Sequence, residues 1–239
     1  MGDPAGIGPE IILKALLEPK ARPPGAAAPA LPVAGSGQGP AHPNRLDPGD
    51  FVVYGDPDLL ASRARSMGLN PEPLQIEPCA SVPADLLLGR VDARAGEAAY
   101  QAVRRACLDA LAGRVRAVVT APLNKEALNA AGHAFPGHTE ILATLAGDVP
   151  VRMMLANDEL ATVLVTIHQP LREAIASLTT PGILETVQLT DRHLRRAGID
   201  APRIAVAGLN PHAGEGGLMG REEIDIIGAE SEVDRIHMG

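Results

Sequence analysis

Apolar runs that end in a turn and lead into a helical pattern recur along this chain, and they narrow its fold more than any other feature. Phe51-Val52-Val53-Tyr54-Gly55 reads as a buried strand, followed by Asp56-Pro57 and a helix to about Met67. Leu74-Gln75-Ile76 is a short strand candidate, and Ala95 to Leu111 is an Ala-rich helix closed by Gly113. Ala117-Val118-Val119-Thr120-Ala121-Pro122 is the clearest buried strand, and it passes through Leu123-Asn124-Lys125 into another helix. Met153-Met154-Leu155 and Ala161 to Thr166 flank Ala156-Asn157-Asp158-Glu159 as the arms of a hairpin. Helices at about Leu171 to Ser177 and Pro181 to Ala197 then precede a strand from Arg203 to Ala207. The alternation predicts an α/β protein, a class that binds ligands beyond the carboxyl ends of its strands.

The core available to such a fold is unusual. Hydrophobic residues make up 46% of the 239 positions but aromatic ones only 2%, so Ala, Val, Leu and Ile must fill the interior. No aromatic platform for stacking bases is left. A net charge of -8 and a pI near 5.4 argue against general binding to nucleic acid or to anionic membranes. No apolar run approaches the roughly 20 residues that span a bilayer, and no basic-then-apolar leader opens the chain. Cys79 and Cys107 match no zinc or redox spacing and read as free thiols of a cytoplasmic protein. From about 21 to 48 the sequence is mostly Ala, Pro and Gly and reads as a low-complexity insertion with little to bury.

Candidate chemistry gathers at the turns. Met1-Gly-Asp-Pro-Ala-Gly-Ile-Gly-Pro-Glu10 is a Gly-rich loop running into a helix at Pro9, able either to cradle an anion or to make a tight turn. It lacks the strand that normally precedes such a loop, which implies a further N-terminal piece. Lys125, just past the Ala117–Pro122 run, is a catalytic candidate by position and otherwise a solvated lysine in a first helical turn. Of seven histidines, His42, His133, His193 and His237 lie in unremarkable contexts. His138, His168 and His212 each lie in a short segment with Pro or Gly nearby that can fix a side chain's direction. Imidazole binds metals and titrates near neutral pH, so these three point to an enzyme, although their long spacing does not identify a metal site.

Several of these segments together, in one order, resemble the 4-hydroxythreonine-4-phosphate dehydrogenase family of pyridoxal phosphate biosynthesis. They are Gly2-Asp-Pro-Ala-Gly-Ile-Gly-Pro-Glu-Ile11, Thr120-Ala-Pro-Leu-Asn-Lys125, Phe135-Pro-Gly-His-Thr-Glu140, Thr166-Ile-His-Gln-Pro-Leu171 and Gly208-Leu-Asn-Pro-His-Ala-Gly-Glu-Gly216. The resemblance implies an α/β fold similar to the isocitrate and isopropylmalate dehydrogenases, with mixed sheets flanked by helices. It implies NAD or NADP as acceptor, a divalent metal (zinc, magnesium or cobalt) and a homodimer with active sites at the subunit interface. His138 and Thr139 match substrate-binding positions, and His168 and His212 match two metal ligands. The activity implied is oxidation and decarboxylation of 4-phosphooxy-L-threonine to 3-amino-2-oxopropyl phosphate.

The family's third metal histidine stands in a Tyr-His-Asp-Gln-Gly segment, followed by Lys, Asn and Arg that hold the substrate phosphate, and none of these occurs before Gly239. The expectation is therefore a partial dehydrogenase domain over 1–239, with the C-terminal part of the fold missing. Two alternatives stay open. One is a dehydrogenase of the same superfamily acting on a threonate or erythronate phosphate. The other is an inactive fragment that only associates with a partner subunit. A metal-dependent hydrolase would need a carboxylate base in a His-Glu-x-x-His or comparable motif, and the sequence has none.

Overall fold

In the computed structural model the residues described are 1–18, 47–157 and 159–228, with the backbone of 236–238. Most of the low-complexity stretch at 21–48 lies outside them. It ends where a 3-10 turn, Pro48–Asp50, begins, capped where the Asp47 carboxylate accepts the Gly49 N–H at 2.9 Å.

The chain divides into two compact units, the first reaching Val151 and the second starting at Arg152. In the first, helix α1 (Gly8–Leu17) precedes strand β1 (Val52–Gly55), helix α2 (Pro57–Ser66) and strand β2 (Gln75–Pro78). β1 and β2 pair in parallel from Val52↔Gln75 to Gly55↔Pro78, the strand–helix–strand arrangement expected of an α/β protein. The Asp56 carboxylate joins the parts: it caps α2 through the Leu59 N–H at 3.0 Å and accepts the Val82 N–H at 2.6 Å beyond β2.

Helix α3 (Ala93–Leu111) is the spine of this unit. Small residues let its neighbours approach closely. At Gly96 an added Cβ would lie 2.0 Å from the Ala127 carbonyl oxygen of helix α4 (Lys125–Ala130). Ala98, Ala102 and Ala106 of α3 pack with Val53, Tyr54 and Leu60, while Val103 packs with Leu128 and Ile141 of helix α5 (His138–Leu145). The core is thus the aliphatic, alanine-rich one the composition demands.

One expectation fails here. Ala117–Pro122 joins no sheet among the described residues, and Val119 is 87% exposed, with only Ala121 of the run buried. A doubly apolar run forms a strand when a neighbour supplies ladder partners, and among the described residues β1 pairs with β2 alone.

The second unit holds the expected hairpin, β3 (Met154–Ala156) antiparallel to β4 (Ala161–Val163), then helices α6 (Leu171–Ser177) and α7 (Thr180–Arg196). Strand β5 (Ile204–Val206) pairs in parallel with β6 (Ile236–Met238). The fold is α/β. Among the described residues no helix is long and apolar enough to cross a membrane.

Candidate active site

The structure distributes the candidate residues between the two units: Lys125, His138 and Thr139 belong to the first, His168 and His212 to the second. Their settings differ in kind.

In the first unit the N-terminal loop folds over the carboxyl end of β1. The Met1 amino group donates to the Tyr54 carbonyl at 2.8 Å, and the Asp3 N–H donates to the Pro122 carbonyl at 3.0 Å. Gly2 fits because its φ is +71° and any Cβ would come within 2.6 Å of that Pro122 oxygen. The buried Asp3 carboxylate accepts the Ala5 N–H at 2.9 Å, and burial still pushes its pKa up. Asp3 therefore serves the loop's own turn.

His138 opens α5 beside this loop. Its Nε2 is buried with no hydrogen-bond partner. Burial, then the Met1 ammonium charge, push its pKa below the usual 6.5, against a backbone hydrogen bond to Ala121. The ring is held neutral near physiological pH, with Nε2 able to accept or donate one hydrogen bond according to its tautomer. The helix cap is Gly137, which supplies no side-chain hydrogen bond to the first turn holding His138, Thr139 and Glu140. An uncapped helix N-terminus favours negative charge. Lys125 is exposed and is the first residue of α4, whose cap is Asn124, accepting the Ala127 N–H at 3.1 Å.

One residue that the sequence did not single out supports this arrangement. His133 stacks on Tyr100 at 3.7 Å and meets Glu97 of α3 at 2.7 Å, pinning the turn between α4 and α5. Phe135 continues the stack on Tyr100 at 6.3 Å and packs against the cluster of Val103, Leu128 and Ile141. No sequence signal distinguished His133, since its partners lie a helix away.

In the second unit both histidines are exposed and both adopt left-handed backbone conformations, His168 at φ 55° and His212 at φ 52°. His168 lies five residues past the end of β4, and Gln169 beside it donates to the Ser177 hydroxyl of α6 at 2.9 Å. His212 begins a left-handed run that continues through Ala213, Gly214, Glu215 and Gly216. Left-handed conformations cost about 1–2 kcal/mol per non-glycine residue, so something must hold the run in place. The Glu223 carboxylate supplies that hold. It accepts the Asn210 N–H at 2.6 Å, the Leu209 N–H at 2.8 Å and the Asn210 side-chain amide at 3.0 Å. The Asn210 side chain and backbone hold the Glu223 pKa below its ordinary 4.5.

Among the described residues no three His, Cys, Asp or Glu side chains gather as a metal site. His168 and His212 alone do not make the donor set that a tightly held divalent ion requires.

Comparison with known proteins places these segments. The family model described as "Pyridoxal phosphate biosynthetic protein PdxA" matches residues 48–233. A 4-hydroxythreonine-4-phosphate dehydrogenase of Beijerinckia indica is 42% identical, the match covering 95% of this chain and 64% of that protein. A D-threonate 4-phosphate dehydrogenase of Pectobacterium atrosepticum is 40% identical over 97% of this chain and 69% of its own length. A crystal structure of the 4-hydroxythreonine-4-phosphate dehydrogenase of Klebsiella pneumoniae superposes with a TM-score of 0.76 at 41% identity, covering 96% of this chain and 67% of that one. The chain thus spans about two thirds of the length of these relatives.

Proposed function

The chain belongs to the pyridoxal phosphate biosynthetic protein PdxA family, and on that premise we propose that it is a dehydrogenase of 4-phosphooxy-L-threonine. The reaction is oxidation of the C3 hydroxyl followed by loss of carbon dioxide, giving 3-amino-2-oxopropyl phosphate. The observation that carries this reading is His138: a neutral imidazole whose buried Nε2 has no protein partner, at the mouth of an uncapped helix.

In this role His138 Nε2 hydrogen-bonds the polar centre of the substrate, and desolvation strengthens that bond. Thr139, in the same first turn, adds a hydroxyl, and the helix end favours an anionic group of the substrate. The Met1–Gly8 loop closes one side. NAD or NADP, when bound, accepts the hydride.

The divalent metal of the proposed activity (zinc, magnesium or cobalt) is assigned to His168 and His212, and here the donor set is incomplete. A homodimer with its active site at the subunit interface is part of the same proposal, as are the fold likeness to isocitrate and isopropylmalate dehydrogenases and a cytoplasmic location. The organisation proposed is a partial dehydrogenase domain over 1–239.

A second reading has a specific observation in its favour. A relative of similar identity is named for D-threonate 4-phosphate, whose C2 carries a hydroxyl where phosphooxythreonine carries an amine. Purified protein with NAD and each divalent metal in turn, offered each substrate, decides between them by the rate of nicotinamide reduction. Turnover of the amino substrate alone supports the proposal, and turnover of threonate phosphate alone replaces it. Absence of both turnover and a substrate-induced rise in Tm refutes it.

A further inference from the structure

The segment that delivers His138, residues 131–137 between α4 and α5, is irregular, and its two halves are held differently. The first half stays tied to α4. The Gly132 N–H donates to the Asn129 carbonyl at 2.9 Å, and the His133 N–H to the Leu128 carbonyl at 3.1 Å. The Phe135 N–H then donates to the His133 carbonyl at 3.0 Å, and beyond it the backbone has little to hold it. Pro136 has no N–H, and among the described residues the Ala134 and Gly137 N–H groups make no backbone hydrogen bond. Gly137, the last residue before His138, has no side chain to pack.

Side chains of α3 supply the missing hold. The His133 ring lies on Tyr100 with centroids 3.7 Å and planes 17° apart, and its Nε2 meets the Glu97 carboxylate at 2.7 Å. Near neutral pH an ionised carboxylate only accepts, so Nε2 carries the proton and the imidazole is fixed in tautomer as well as in place. Glu97 also accepts from the Gln101 side chain at 2.7 Å, and Gln101 first, then His133, hold its pKa below the ordinary 4.5. Glu97, Tyr100 and Gln101 share one face of α3 at i, i+3 and i+4. They follow Gly96, where α3 lies against the backbone of α4, so the frame that carries them is itself fixed.

We propose that His133 is a positioning residue for His138: stacked on Tyr100 and bonded to Glu97, it fixes the 131–137 segment and with it the direction in which α5 presents its first turn. The buried Ile141, one turn further on, is the second fixed point. A hydrogen-bonding group held in place before its ligand arrives leaves less ordering to be done on binding. That benefit to the substrate rests on the reading of His138 as its contact.

The test uses the whole chain labelled at histidine, with the His138 ring signals identified by their loss in His138→Gln. It follows those signals and the hydrogen exchange of the Ile141 amide, which donates to the Gly137 carbonyl at 3.3 Å. Glu97→Ala, at an exposed position, and His133→Phe, which keeps the stack but not the bond, should each shift the His138 signals. Both should also speed Ile141 exchange about tenfold. Glu97→Gln still offers His133 an acceptor and should leave both readouts as in the unaltered protein. The double variant Glu97→Ala/His133→Phe should be no worse than either single one, because both remove the same bond. His138 signals and Ile141 exchange that stay unchanged in both single variants overturn the proposal even where Tm falls, as do additive effects in the double variant. None of these readouts needs turnover. With 4-phosphooxy-L-threonine added, a KM raised about fivefold at little-changed kcat in the Ala and Phe variants supports both the positioning and the contact. A displaced His138 with unchanged KM supports the positioning by His133 and overturns instead the reading of His138 as the substrate contact.

Discussion

His138 and His212 are both candidate site residues that follow turns, one in each unit, yet the protein fixes them by opposite means. His138 starts a regular helix whose Ile141 and Leu142 are locked into an aliphatic cluster, and backbone strain plays no part. His212 is exposed on a left-handed run, and the carboxylate of Glu223 holds the neighbouring Leu209 and Asn210. The first setting derives its precision from apolar packing, which is insensitive to pH and salt. The second derives it from charge-assisted hydrogen bonds, which are sensitive to both. Perturbations should therefore separate the two regions.

The largest effect is expected at Gly96. Its Cβ position lies 2.0 Å from the Ala127 carbonyl oxygen and 2.7 Å from the Leu128 nitrogen, all backbone atoms that cannot rotate aside. Gly96→Ala must push α4 off α3, and α4 leads to the turn that aims His138. A loss of about 3 kcal/mol in unfolding free energy is expected, measured by urea titration. A loss confined to the first unit, seen by hydrogen exchange, would confirm that packing there is local to it. A change below ~1 kcal/mol would show that the helices have room to spare.

Glu223 tests the other side. Its carboxyl titrates below the ordinary 4.5 in the folded protein, so its stabilisation is complete above 4.5 and is lost as pH falls through the folded value. The amide resonances of Leu209 and Asn210 should shift in that acid range while those of α3 and α5 stay put. Glu223→Gln should abolish the transition and leave the 208–220 loop mobile at neutral pH. A loop that stays ordered in the variant would mean that its glycines, and not the carboxylate, hold the left-handed run.

These two regions were not equally legible in the sequence. The helices, the β3–β4 hairpin and the aliphatic core follow from periodicity and composition, which are local properties. The clamp on Asn210 was invisible because Glu223 lies 13 residues away along an irregular path. His133 escaped for the same reason, its Glu97 partner being 36 residues back. Ala117–Pro122 was read as a buried strand from its own side chains, but a strand needs a partner edge, and no single segment reveals whether one is present.

A smaller effect is expected at the His138 ring. Burial and the Met1 ammonium both hold its pKa below 6.5, so the neutral form is favoured by folding, and its contribution is complete above 6.5 and declines as pH falls through the folded value. A histidine-detected NMR titration should place its midpoint below those of exposed model imidazoles. Acetylating the Met1 amine removes the charge but not the burial, so the midpoint should move only part of the way back. Full return to 6.5 would assign the whole shift to the charge, and a midpoint above 6.5 would remove the neutral imidazole on which the proposed substrate contact depends.

Lys125 carries the smallest effect on stability and the most pointed contrast between fold and function. A lysine at the first position of α4 opposes the helix dipole, and it is exposed. Lys125→Ala should therefore change stability by no more than ~0.5 kcal/mol in either direction. A cation kept where it does not help the helix has a use if it meets the anionic substrate. One charge-assisted hydrogen bond of ~1.4 kcal/mol corresponds to about a tenfold loss of substrate affinity. Measuring the substrate-induced rise in Tm alongside KM separates the outcomes. Weaker binding at unchanged stability makes Lys125 a substrate contact, whereas unchanged binding leaves it a surface lysine and confines the first unit's recognition to His138 and Thr139.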